Sequence, residues 1–123
     1  MAAPPEWAQD LMLNALLYKG FDDIPELVWR HTKREVSSGV YSPRTKQIRI
    51  MAGSDRKDAK LVLLHEIAHF ITPRKGSIFH TGIFWDITWD LYRWAKLPIR
   101  YCLKREGHYK KGATLAYHRI HKP

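Results

Sequence analysis

The residues with the clearest chemical potential are His65-Glu66-Ile67-Ala68-His69. On a helix, positions i and i+4 lie one turn apart on the same face. Two imidazoles so placed can direct ring nitrogens at one ion. Glu66 follows the first of them and projects to the side where a water on that ion would sit. This is the arrangement of zinc-dependent hydrolases. The flanking residues are apolar, LVLLHEIAHFI from Leu61. Three polar side chains inside such a helix are costly without partners, and a metal is an economical partner for two neutral histidines. The alternative is that His65 and Glu66 make ordinary core hydrogen bonds.

A catalytic zinc takes three protein ligands and keeps one position open. Three residues downstream could supply the third ligand. His80 lies eleven residues after His69, and Asp86 and Asp90 follow it. His80 is the expected ligand, since imidazole suits zinc. Asp86 and Asp90 are the alternatives, either as ligands or as groups that orient a ligand histidine. Other metal-site patterns fit less well. The metzincin positions for Gly and His are occupied by Thr72 and Lys75. The only downstream Glu that could complete a gluzincin set is Glu106, in a basic stretch. A zinc nucleotide deaminase needs paired cysteines, and the chain has one, Cys102.

The elements that must position these residues can be read from periodicity. Glu6 to Lys19 has a helical apolar face with Gly20 as its stop. Residues 26–32 read as a strand. Val36–Tyr41 and Lys46–Met51 read as two arms of a hairpin. Ser54 or Asp55 can cap a helix that runs to Ile71 and stops before Thr72-Pro73. That helix lacks a polar face from Leu61 onward, so it is expected to be buried on several sides. Thr81–Ala95 reads as a further helix, ended by Pro98, and residues 99–103 could extend the fold. Beyond Gly107 little regular structure is expected. The order helix, three strands, helix, helix predicts an α+β domain with a small, mostly antiparallel sheet packed on helices.

The length of 123 residues suits one domain, expected over residues 1–103. One cysteine rules out an intrachain disulfide and a cysteine-built zinc ribbon. No apolar run is long enough for a membrane span, and no secretory signal is visible. The expected location is the cytoplasm, or a host cytoplasm for a phage protein. The net charge is +9, and residues 96–123 carry eight Lys or Arg against the single acid Glu106. Residues 104–123 are therefore read as a basic tail. In it Lys104, Arg105, Lys110, Lys111, Arg119 and Lys122 interleave with tyrosines, a pattern suited to nucleic acid. The alternatives are a solvated extension, or one that packs on the core through its tyrosines.

From about Gly39 to Trp94 the chain resembles the SprT-like (Spartan-type) zinc metallopeptidases and related small phage and actinobacterial HExxH proteins. The residues that carry the resemblance are LVLLHEIAHF and FHTGIF. His80 and Phe84 keep that family's His and Phe spacing. Thr81 replaces its usual Gly, with Gly82 one place later. The resemblance implies a minimal zincin-like core and one zinc ion held by His65, His69 and His80. It also implies Glu66 as general base and substrates among proteins attached to DNA.

The expected activity is hydrolysis of peptide bonds by zinc-bound water, with Glu66 accepting its proton. Tyr92, Tyr101 or His108 could stabilise the oxyanion. The strand Lys46–Met51 is expected to be the edge that pairs with an extended peptide. Two other readings compete. One is a nucleic-acid-binding module with a structural or vestigial zinc site. The other is a metallohydrolase acting on a non-protein amide.

Overall fold

The structure is a computed structural model that describes residues 3–72 and 82–107. It is an α+β fold: α1 (Glu6–Tyr18), β1 (Glu26–His31), β2 (Ser38–Ser42), β3 (Gln47–Ala52), α2 (Arg56–Ile71), α3 (Gly82–Trp94) and α4 (Ile99–Arg105). Helix α1 begins after Pro5, whose extended backbone suits a helix entrance. It ends in a left-handed turn at Gly20, φ 76°. There the Phe21 N–H donates to the Leu16 carbonyl and the Gly20 N–H to that of Leu17. This pair of bonds is a Schellman cap, and glycine adopts the required φ without steric cost.

The sheet has the order β1-β3-β2. The β2–β3 hairpin is antiparallel as expected, whereas β1 pairs with β3 in parallel, so the sheet is mixed. Strand β3 is therefore central, which corrects its expected role as the edge. Ile48, Ile50 and Ala52 are buried on the face it turns to the helices, and it is hydrogen-bonded on both sides. Among the described residues the edge on the hairpin side is β2. One cross-strand row on the core face runs Trp29, Ile50, Gly39. Side-chain bulk falls from a full indole to nothing along it. Trp29 meets Trp7 of α1 edge-on, at 5.6 Å between centroids. At the other end, Gly39 lets α2 approach β2 closely.

Asp55 caps α2 by accepting from the backbone N–H groups of Lys57 and Asp58, at 3.0 and 3.4 Å. Every residue from Leu61 to His69 is buried, as the missing polar face requires. The neighbours that bury α2 include α1, α3, β2 and β3. Helix α3 is tied to α1 by Lys19, which donates to Asp90 at 2.9 Å, and by Tyr18 stacked on Trp94 at 5.2 Å. No helix among the described residues is long and apolar enough to cross a membrane.

Helix α4 falls largely where the sequence reading allowed only an extension of the fold. Its end is not a solvated tail. Arg105 donates to Asp58 at 2.6 Å and to the Ser37 carbonyl at 2.7 Å. Asp58 also accepts from the Ser37 N–H at 2.6 Å and from the Tyr101 hydroxyl. Asp58 has no exposed surface. Burial alone would raise its pKa. The bonds from Arg105, Ser37 and Tyr101 outweigh burial and hold the carboxyl below its usual range. This cluster fastens the C-terminal end of α4 to the first turn of α2.

Removing Arg105 leaves a buried carboxylate short of its counter-charge. Arg105→Ala is expected to lower stability by about 3 kcal/mol at pH 7, read by urea unfolding. The depressed Asp58 pKa stabilises the fold fully above about pH 4, where the unfolded carboxyl ionises. That stability is lost as pH falls through the folded-state value. In Asp58→Asn this part of the acid sensitivity should disappear, and an unchanged pH profile would contradict the assignment.

Candidate metal centre

Helix α2 places His65, Glu66 and His69 within one turn of each other in the core, only 9%, 6% and 7% exposed. The imidazole centroids are 5.2 Å apart. Zinc–nitrogen bonds of about 2.0–2.1 Å at a tetrahedral angle put two ligand rings about 5 Å apart, centre to centre. The ring separation thus matches that of two ligands on one ion. His69 stacks on Phe84 of α3 at 4.2 Å, and His65 meets Phe84 and Trp85 edge-on. Helix α3 thus walls both rings.

On the far side of His65 stands Glu106. Its Oε2 lies 2.7 Å from His65 Nδ1 and accepts from the Tyr92 hydroxyl at 2.7 Å. Glu106 is 2% exposed. Burial would lower the His65 pKa, but the hydrogen bond and charge of Glu106 raise it beyond its ordinary value. Burial would raise that of Glu106, but His65, Tyr92 and Arg105 hold it down. The pair is best described as a carboxylate facing an imidazole N–H.

Glu66 lies beneath the edge strand. Burial pushes its carboxyl up to about 7, with Glu106 adding to the rise, while the charge of His65 and the Tyr41 backbone N–H oppose it. A carboxylate poised near neutrality suits proton transfer at neutral pH. Gly39 makes room for it. A Cβ there would meet Glu66 Cγ at 3.1 Å, Val62 Cγ1 at 3.0 Å and Ile50 Cδ1 at 2.9 Å. A cleft of about 200 Å³ opens between β2, α2 and the end of α4, with Gly39, His65, Glu66 and Glu106 among its walls.

The other expected site residues fall as follows. His80 lies outside the described residues, as do His108, Lys110, Lys111, Arg119 and Lys122. Among the described residues no set of three His, Cys, Asp or Glu side chains converges on one point. Asp90 is engaged by Lys19, Tyr18 and Arg93, on the side of α3 that meets α1. Asp86 is partly buried on the same helix. The hydroxyls of Tyr92 and Tyr101 donate to Glu106 and Asp58, so both have structural partners. Lys104 is exposed on α4, whereas Arg105 is paired internally with Asp58. The sequence reading missed Glu106 as a partner of His65. Its one signal was being the sole acid among eight bases in residues 96–123.

No protein-family model, no curated protein and no solved structure matches the chain. The case for function therefore stands on the residues themselves.

The raised Glu66 pKa has a consequence for stability. An unfolded Glu loses its proton near about pH 4.3, whereas the native one keeps it to about 7. The metal-free protein should therefore lose stability as pH rises between those values. Glu66→Gln removes that loss. At pH 8 and without metal the variant should be more stable by up to about 4 kcal/mol, and at pH 4 nearly equal. Equal stability at both pH values would contradict the buried carboxyl.

Proposed function

We propose that this protein is a zinc-dependent peptidase. The observation that carries the reading is the buried pair His65 and His69, one helical turn apart with rings 5.2 Å apart, beside Glu66 in an open cleft. His80 is proposed as the third ligand. A bound zinc ion would supply Lewis acidity to the scissile carbonyl and to the attacking water.

The chain's own residues would do the rest. Glu66 takes a proton from the attacking water and returns it to the leaving amine. Strand β2, the edge strand beside the cleft among the described residues, offers its outer side to an extended peptide by strand addition. This role passes to β2 from β3, which is enclosed in the sheet. The edge residues Ser38, Gly39 and Val40 are exposed. The proposed substrate is therefore a peptide segment in extended conformation. The net charge of +9 favours substrates associated with a polyanion such as DNA.

A closed structural zinc site would have no use for Glu66. A buried acid next to the ligands and facing a cleft favours hydrolysis over a binding module. The cleft does not by itself distinguish a peptide bond from another amide, whereas the exposed edge strand favours the peptide.

Protein purified without chelator should carry about one zinc per chain, and His80→Ala should lose most of it. Glu66→Gln should keep the metal and lose at least 10²-fold in peptide hydrolysis, measured with an unstructured protein substrate. Full activity in Glu66→Gln, or no zinc uptake by the native chain, would overturn the reading.

A further inference from the structure

Glu106 is a buried carboxylate that the reaction outlined above does not use. Burying an ion costs several kcal/mol unless it is paired and hydrogen-bonded. Here the partners are specific. Oε2 receives the Tyr92 hydroxyl from α3 and faces Nδ1 of His65 on α2, each at 2.7 Å. The residue before it, Arg105, grips Asp58 at 2.6 Å. Asp58 and His65 are seven residues apart on α2, two turns along the same face. The end of α4 is thus fastened to one face of α2 at two successive levels. The upper level is a plain ion pair, and the lower level ends on a histidine of the metal motif.

Building on the peptidase reading, we propose that Glu106 is the positioning residue of the metal centre. It accepts the His65 Nδ1–H, fixes the tautomer that presents the Nε2 lone pair, and stops the ring from rotating. Tyr92 holds the carboxylate in place by donating to the same oxygen. A carboxylate on the remote nitrogen also makes imidazole a better donor to a metal. The two histidines are thereby held by different means, His65 by a carboxylate and His69 by its stack on Phe84. The affinity of the site for metal consequently depends on α4, a helix that contributes no ligand. A purely structural Glu106 would stabilise the fold without altering the metal.

The test uses the full chain, stripped with chelator and titrated with Zn²⁺ against a chromophoric competitor. Co²⁺ titration reports ligand geometry through its visible bands. Glu106→Ala should weaken zinc binding about 10- to 100-fold. Glu106→Gln keeps an acceptor but loses the charge, and should weaken binding less than the Ala variant while shifting the Co²⁺ bands. Tyr92→Phe should have a smaller effect in the same direction. Native affinity and native bands in both Glu106 variants, whatever their melting temperatures, would overturn the proposal alone. A native chain that binds neither ion would overturn the peptidase reading and this proposal together. If the Glu106 variants do not fold, ¹⁵N spectra of the native zinc-loaded protein decide. A protonated Nδ1 on His65 supports the proposal, and a protonated Nε2 overturns it.

Discussion

Burying two imidazoles and a carboxylate inside an apolar helix is the constraint around which this fold is arranged. Unpartnered, such groups would cost more than a small domain's whole margin of stability. The surrounding elements answer that cost one group at a time. Helix α3 supplies aromatic walls, Phe84 for both histidines and Trp85 for His65. Helix α4 leads into a counter-charge for His65. The edge strand supplies a backbone N–H for Glu66. What remains uncompensated is visible in the raised Glu66 pKa, and that residue is the one proposed to move protons.

The same constraint explains the sheet. Glu66, set in the apolar stretch of α2 from Leu61 onward, reaches the cleft because it lies beside the edge strand. The taper from Trp29 through Ile50 to Gly39 lets α2 approach β2 closely. The glycine is needed because a methyl group there would press on Glu66 itself. Packing against α1 at one end and room for Glu66 at the other are thus set by a single cross-strand row.

The C-terminal part of the described structure changes the meaning of the basic segment. Two of the residues first read as a tail, Arg105 and Glu106, are internal. The Asp58–Arg105 pair orders the end of α4, and that order carries Glu106 to His65. The residue that anchors α4 to Asp58 and the residue that partners His65 are thus adjacent in the chain. The polyanion-seeking role proposed for the basic segment then rests on residues beyond this clamp, together with exposed Lys104.

Much was legible in the sequence because the signals were local. The spacing of His65 and His69, the Asp55 cap, the stop before Pro73, the Gly20 turn and the alternation of Ile48 and Ile50 depend on neighbours within a few residues. Tertiary structure decided the rest, because it depends on pairings across long stretches of chain. Periodicity tells which face of β3 is buried but not that β1 would pair beside it, so the edge passed to β2. Asp58 sits in the first turn of α2, an ordinary place for a helix acid, and only the arrival of Arg105 from 47 residues away makes it a fully buried anchor. Glu106 looked like a stray acid in a basic run. A residue 41 positions from His65 becomes its partner only when α4 folds back along α2, and no local pattern encodes that return.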